Sequence, residues 1–551
     1  MIMCDRWVVI RQAPADMDLR QNYVALPENY GTEAYFARED IRTIRQTVFD
    51  CLDQLDSHLH FTQALSESTM AVIKPNLVSV YHKSGLVNAD YPESTDPRVL
   101  DAVVEWVQRF QPEVLIAESS GKPMPTRTSF RVSGVDRIAK FRKTGLAALE
   151  TCPVKRYLLP KARVMKEVLV PEPFAEVAEG RAFYISVPKL KTNLYTQVTL
   201  GFKNAMGIIP YALRERNHNY RIDEKLTDLL YLIRPNLTLI DGLVGGEGNT
   251  PAPVDPVDSR VLIAGVDPVA TDRVGTRIMG LDPDRIPLFI EAEKRGFFQG
   301  EAVLDGEMPQ YHFRPADASL MGETFHRHFP NVLVLAGHTL PHAPRIADPN
   351  QVTPEQARQL EQACRGGCLA ALRSGFEYVV YAPRKDQSRA LAVVIGAGVE
   401  WGGKRWWFDR EGKPYSEQDV RALPLPLLTL GNCAGTLADA AKWRTPGCCS
   451  PSVCMLAATA AMKIPFPLLS LKNQAFFNFG WEAVRMVAIR CTMSLRGIWI
   501  DCPSEHKDQI YPAPAPQPGQ EELDYVPWPL PRMDWKTRLK LAGDQIRILK
   551  L

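Results

Sequence analysis

The chain is punctuated by short, unbroken apolar runs: Ala71-Val72-Ile73, Glu113-Val114-Leu115-Ile116-Ala117, Ala182-Phe183-Tyr184-Ile185, Leu237-Thr238-Leu239-Ile240 and Arg260-Val261-Leu262-Ile263-Ala264. None shows the period-two alternation of a half-exposed strand, so they read as strands buried on both faces. The stretches between them are amphipathic. After Thr95-Asp96-Pro97, the residues Val99, Leu100, Val103, Val104, Val107 and Phe110 recur at helical spacing, with Asp96 placed to cap and Pro97 in the first turn. Asp267-Pro268 opens another helix in the same manner. Strands alternating with helices predict a mostly parallel sheet covered by helices, with ligands at the carboxyl ends of the strands.

A second series begins near Asn331-Val332-Leu333-Val334-Leu335 and continues through Tyr378-Val379-Val380-Tyr381, Leu391-Ala392-Val393-Val394-Ile395 and Pro426-Leu427-Leu428-Thr429-Leu430. At 551 residues the chain exceeds the ~250 to 300 residues at which single cores stop growing. The expected fold class is therefore α/β: two mostly parallel, helix-covered sheet domains over residues 1–325 and 326–475, followed by a Pro- and aromatic-rich C-terminal extension over 476–551. In the extension, an amphipathic run reaches Ile500 and Tyr511-Pro512-Ala513-Pro514-Ala515-Pro516 reads as a linker. Trp535 to Leu551 reads as a basic amphipathic helix docked on the protein's own surface, a membrane-surface or partner helix being the alternative.

With 65 basic and 63 acidic residues, a formal charge of +2 gives no global field for nucleic acid or anionic lipid. No aromatic-and-basic strand signature of nucleic-acid binding is present. No stretch has the charge-free length of a membrane-spanning helix, and the first ten residues lack the apolar core of a secretory signal. The expectation is a cytoplasmic protein.

Lysines stand at the ends of the predicted strands, in Lys74-Pro75-Asn76-Leu77 and Pro188-Lys189-Leu190-Lys191-Thr192, with Lys203-Asn204-Ala205-Met206-Gly207 close behind. A lysine buried at a strand end is costly to desolvate unless it faces an anion or a carboxylate. Taken singly, each fits a solvated strand end; three such motifs in one domain point to an acidic ligand. Arg214-Glu215-Arg216-Asn217-His218 adds a candidate acid/base group in His218. Asp241-Gly242-Leu243-Val244-Gly245-Gly246-Glu247 follows a strand directly, its glycines allowing close backbone approach to a ligand. The candidate catalytic set is Lys74, Lys189, Lys203, His218 and Asp241, with Asn76, Asn204 and Glu247 as candidate binding residues.

Six of the eleven cysteines, Cys364, Cys368, Cys433, Cys448, Cys449 and Cys454, crowd into one stretch. Cys364 and Cys368 sit one turn apart on a helix opened by Thr353-Pro354-Glu355-Gln356, Cys433 follows a predicted strand, and Cys448 lies in a Pro- and Gly-rich turn. Soft thiolates at strand ends suit an iron–sulfur cluster held by Cys364, Cys368, Cys433 and Cys448, with Cys449 and Cys454 as spares. Zinc is the rival metal, although zinc sites usually bring close cysteine pairs, and here only Cys364 and Cys368 form one. Isolated Cys51, Cys152 and Cys491 read as small buried hydrophobes.

Two resemblances attach to these residues. Gly431-Asn432-Cys433-Ala434 and Pro446-Gly447-Cys448 resemble the cluster-binding loops of hydrogenase small subunits and the related quinone-oxidoreductase subunit, which implies a [4Fe–4S] cluster. The ordered set Lys74-Pro75-Asn76-Leu77, Pro188 to Lys191, Gly201-Phe202-Lys203-Asn204-Ala205-Met206-Gly207, Asp241-Gly242 and Asp267-Pro268-Val269-Ala270-Thr271-Asp272 resembles domain-of-unknown-function family 362, from about Ala71 to Gly280. Members of that family are described as iron–sulfur proteins, which implies a redox-active role here. The functional expectation is an iron–sulfur protein, an oxidoreductase in the first reading, with a small anionic substrate in the N-terminal cleft and an electron-transfer protein as partner. The alternatives are a non-redox isomerase or transferase with a structural metal centre, and a non-catalytic cluster carrier or scaffold.

Overall fold

A computed structural model describes residues 6–78, 92–121, 125–210, 218–248, 250, 254–317, 323, 325–327, 329–338, 340, 343–362, 368, 372, 389–445, 476–499 and 517–547. Of the sequence expectations, the Tyr378–Tyr381 strand, the Tyr511–Pro516 linker, Arg214–Asn217, Cys364 and Cys448 lie outside these residues.

The strands of the first half are β1 (Trp7–Gln12), β2 (Met70–Pro75), β3 (Val114–Glu118), β4 (Gly145–Ala148), β5 (Val154–Leu158), β6 (Glu167–Pro171) and β7 (Ala182–Val187). They continue as β8 (Lys189–Asn193), β9 (Gln197–Thr199), β10 (Leu237–Glu247), β11 (Asp255–Val257), β12 (Val261–Gly265) and β13 (Val303–Asp305). All but β5 and β6 join an eleven-stranded sheet of order β13-β1-β12-β10-β7-β2-β3-β4, with β8 and β11 paired to β10 and β9 paired to β8. From β10 to β4 the neighbours run parallel; β12 enters antiparallel to both β10 and β1.

Helices α1 (Glu39–Leu59), α2 (Pro97–Val107), the one-turn α3 (Gly201–Asn204) and α4 (Pro268–Ile278) accompany this sheet. The starts of α2 and α4 follow from sequence. The Asp96 side chain accepts from the Arg98 amide, the Asp267 side chain accepts from the Val269 and Ala270 amides, and a proline occupies the first turn of each helix, where its missing N–H leaves nothing unpaired. Apolar residues on both faces of the sheet enter separate clusters: Val72, Tyr184, Ile240 and Ile263 in one, Ala71, Ile73, Ile185 and Leu239 in the other. That two-sided burial is why these strands read as continuous apolar runs.

A second sheet holds β14 (Val332–Ala336), β15 (Leu391–Ile395), β16 (Val399–Trp401), β17 (Lys404–Phe408), β18 (Pro414–Ser416), β19 (Leu427–Leu430) and β20 (Trp443–Thr445). Its order is β16-β17-β14-β15-β19-β20, with β18 on β17; β14, β15, β19 and β20 run parallel. Helix α5 (Pro354–Gln362) packs beside β14. The fold is α/β with mostly parallel sheets, as the sequence pattern predicts.

The C-terminal segment returns to the first half. Strand β21 (Val526–Trp528) pairs antiparallel with β5, which pairs with β6 in a three-stranded sheet. Helices α6 (Phe476–Arg496) and α7 (Trp535–Arg547) pack on each other, and Met493, Trp499, Met533 and Leu541 enter the core cluster that holds Val154 and Tyr157.

Candidate functional site

The chain builds outward from β2 to β3 and β4 on one side, and afterwards adds β7 and β10 on the other, so the connections diverge between β2 and β7. In open α/β sheets ligands bind outside the carboxyl ends of the strands at such a switch. Here that edge is lined by buried lysines.

Lys74, next to last in β2, donates from Nζ to both Glu118 oxygens, at 2.8 and 2.9 Å, and to Asn204 Oδ1 at 2.8 Å. Glu118 ends β3, and its carboxylate also accepts from the backbone amides of Leu77 at 3.0 Å and Ser119 at 2.7 Å. Asn204 closes the group by donating to the Lys74 carbonyl and to Ser186 Oγ. Gly207 is a glycine for want of space: a Cβ there would lie 2.6 Å from Lys74 Nζ and 2.7 Å from Glu118 Oε1.

Lys189, the first residue of β8, donates to Asp241 Oδ2 at 2.9 Å, with both side chains fully buried. Asp241 also accepts from the amides of Asp96 at 2.7 Å and Leu243 at 3.2 Å, so its carboxylate is saturated by its surroundings. Asp96 itself holds Arg98 through two oxygens; burial raises its carboxyl above the usual range, against the pull of the guanidinium. These lysines are therefore neutralised in place.

Two others are not. Lys191, two residues along β8 and so on the same face as Lys189, donates to Asn76 Oδ1 at 2.8 Å and to the Glu93 carbonyl. Burial pushes its ammonium down to about 7; the Glu93 carboxylate opposes this and the Lys189 charge adds to it. Lys203, on α3, donates to Asn193 Oδ1 and lies 5.8 Å from the Tyr195 ring centroid. Burial first, and the Lys191 charge second, hold it well below the ordinary lysine value. Neither lysine is ion-paired among the described residues; the Glu93 carboxylate acts on Lys191 and the Asp223 carboxylate on Lys203 from beyond contact, each weaker than burial. Lys203 is also the most open of the four at 8% exposure, against 1% or less for the others.

The remaining candidates divide. Asn76 joins the two halves of the site, donating to Asn204 Oδ1 at 3.4 Å and accepting from Lys191. His218 is half-buried beside Asn219, its ring 6.2 Å from that of Tyr195, which places it on the Lys203 side. Glu247 faces elsewhere: it accepts from the Arg314 amide at 2.8 Å and stands 3.7 Å from that guanidinium. Asp272, in the predicted α4 motif, accepts from the amides of Gly201 and Phe202 and so fixes the start of α3; burial pushes its carboxyl up to about 8. Lys191 stands in one of the lysine motifs but not in the candidate set, and Glu118, Glu93 and Asn193 carry no mark in the sequence reading. Lys191 belongs in the set because it shares a strand face with Lys189; Glu118 carries no signal beyond ending an apolar run.

In the second sheet, Cys368 is buried in the cluster of Leu360, Leu372 and Leu430, and its thiol approaches the Leu430 carbonyl at 3.9 Å. Leu430 ends β19 and Cys433 follows, exposed, in the turn beyond. Gly431 donates from its amide to the Thr445 carbonyl at 3.0 Å, tying this turn to the end of β20, three residues before Cys448 in the sequence. Among the described residues no group of three or more His, Cys, Asp or Glu side chains is arranged to hold a metal ion. Cys51 and Cys152 are shielded thiols, each pushed up to about 12 by burial.

Thylakoid-associated protein sll1697 of Synechocystis sp. (strain ATCC 27184 / PCC 6803 / Kazusa) is 35% identical to this chain over 118 residues, which cover 20% of this chain and 37% of that protein. The match thus spans well under half of that relative. No solved structure matches. Residues 71–277, which contain Lys74, Lys189, Lys191 and Lys203 with Glu118, Asp241 and Asp272, match the family described as Domain of unknown function (DUF362).

Proposed function

We propose that the DUF362 segment binds a small anionic ligand at the carboxyl edge between β2 and β7, with Lys191 and Lys203 as the groups that meet its charge. The observation that carries this reading is the pairing pattern. Lys74 and Lys189 each have a buried carboxylate at ion-pairing distance, whereas among the described residues Lys191 and Lys203 place their hydrogen bonds on neutral oxygens, the Glu93 and Asp223 carboxylates acting on them only from farther off. Burying an uncompensated cation costs several kcal/mol, on the order of the desolvation penalty for one ion, and an acidic ligand would recover that cost. The test is calorimetric titration of the whole chain with oxalate and with sulfate at pH 6. A saturable heat that disappears in Lys191→Met and Lys203→Met supports the reading; equal heats in wild type and both variants, or none in any, refute it.

The second sheet supports a further part of the reading, an iron–sulfur cluster, [4Fe–4S] in type, held by Cys364, Cys368, Cys433 and Cys448. The favouring observation is that the Cys368 thiol lies against the last residue of β19, the strand that leads into Cys433. Such a cluster would supply one-electron chemistry. In this reading the chain is a redox protein of the cytoplasm, where its cysteines stay reduced, and it exchanges electrons with a protein partner. Iron and sulfide analysis after anaerobic purification tests it, and stoichiometric zinc without iron would replace it by a structural metal centre beside a non-redox ligand site.

A further inference from the structure

Helices α6 and α7 pack antiparallel. The Cys491 thiol donates to the Ala542 carbonyl at 3.2 Å and Arg538 reaches the Leu495 carbonyl at 3.5 Å, so numbers rise on one helix as they fall on the other. The inner face is anchored. Trp499 is fully buried under the Arg490 guanidinium, 4.8 Å from its ring centroid, and the Ile498 carbonyl accepts from the Val154 amide at the start of β5.

The outer face has the wrong polarity for water. A solvated helix turns charged and polar residues outward. Here Trp481 (67% exposed) and Val484 (53%) are one turn apart on α6, and Trp535 (64%), Leu539 (55%) and Ile546 (49%) line α7 at helical spacing. Counting round each helix from the residues that touch its partner, Val484 falls on the seam itself between Cys491 and Leu495, Trp481 on α6 and Trp535, Leu539 and Ile546 on α7 come next, and the exposed cations lie beyond them: Arg485 and Arg496 on α6, Lys536 and Lys540 on α7. The apolar side chains therefore border the seam of the hairpin, and the cations rim it.

Charge decides among occupants. The two helices carry seven basic residues (Arg485, Arg490, Arg496, Lys536, Arg538, Lys540, Arg547) and two acidic ones (Glu482, Asp544), a balance of +5, while the whole chain is +2, so the rest is −3. A second copy on this face would bring two basic rims together. An anionic bilayer surface complements both the rim and the seam, since Trp is favoured at the headgroup level and basic residues are drawn to acidic lipids. No helix among the described residues is long and apolar enough to cross a membrane, which fits a hairpin lying in the interface plane.

We infer that the outward face of the α6–α7 hairpin docks on an anionic lipid surface, Trp481, Val484, Trp535, Leu539 and Ile546 entering the headgroup boundary while Arg485, Lys536 and Lys540 meet lipid phosphates. The test is co-sedimentation of the full chain with vesicles of pure phosphatidylcholine and of phosphatidylcholine with about one-third phosphatidylserine. Expected are binding to the mixed vesicles alone, weakening as salt is raised to 0.5 M, and a loss of tenfold or more in Trp535→Ala/Leu539→Glu and in Lys536→Glu/Lys540→Glu. All four positions are exposed, so unchanged circular dichroism and melting verify the fold. No binding to the mixed vesicles at low salt, or equal binding by the variants, overturns the inference. So does a concentration-dependent dimer that the same variants abolish.

Discussion

The division of the lysines into neutralised and uncompensated pairs makes opposite predictions for two substitutions about 85 positions apart in the chain. Glu118→Gln keeps the side-chain volume but removes the charge that both Lys74 contacts use, and its amide would confront a backbone N–H that now donates to the carboxylate. Lys74 and Glu118 are 0% and 2% exposed, so water cannot take over. Breaking a buried pair by removing one partner costs about 3 to 5 kcal/mol. That is a large share of the roughly 5 to 15 kcal/mol that holds an ordinary domain folded. Because the chain holds more than one core, the effect is best read locally, by amide hydrogen exchange in peptides covering β2 and β3. The expected result is exchange faster by roughly two to four orders of magnitude there, since about 1.4 kcal/mol is a factor of ten. Lys203→Met removes a buried amine that, among the described residues, has no carboxylate paired with it, and exchange in the same peptides should stay the same or slow. If Glu118→Gln exchanges like wild type, or if Lys203→Met is as damaging as Glu118→Gln, the division is wrong.

Further outcomes follow from the same geometry. Lys191 keeps its proton below about pH 7 in the folded chain but up to about 10.4 when unfolded, so its burial cost is relieved, and stability rises, as pH climbs from about 7 toward 10. Anion affinity runs the other way, falling by up to about tenfold per unit above pH 7; sulfate, a dianion throughout, reads this without titrating itself. Asp272→Ala strips the acceptor from the buried amides of Gly201 and Phe202, and should cost about 2 kcal/mol or more and weaken anion binding through displacement of α3. Serine at Cys364, Cys368, Cys433 or Cys448 should lower bound iron and bleach visible absorption, whereas serine at Cys51 or Cys152 should leave both; loss at Cys449 or Cys454 would redraw the ligand set.

The strands at Ala71, Val114, Ala182 and Val261 were legible because burial on both faces leaves an uninterrupted apolar run, and α2 and α4 because an aspartate and a proline mark their first turns. Strand β10 was legible only to Ile240. Its continuation through Asp241 to Glu247 reads as a ligand loop because glycine signals turns, yet Gly246 is there to let Val254, Lys191 and Pro92 pack close: a Cβ would lie 2.5 Å from Val254 Cγ1, 3.1 Å from Lys191 Cβ and 3.2 Å from the Pro92 carbonyl. Strand β8 was hidden because its residues are mostly polar, and its polar side chains build the site. Local pattern carries no information on strand direction, so the antiparallel entry of β12 was not foreseeable. Neither was the return of β21 to β5, a pairing across more than 350 residues. Within the site, lysines could be recognised, but which of them had carboxylate partners depended on Glu118 and Asp241 arriving from other strands.

The most direct test of the account is equilibrium dialysis of labelled sulfate against the whole chain at pH 6 and pH 8. One saturable site, weaker at pH 8 and absent in Lys191→Met and Lys203→Met while β2 and β3 stay protected from exchange, is the predicted result. Sulfate binding that ignores both pH and the two substitutions would contradict it.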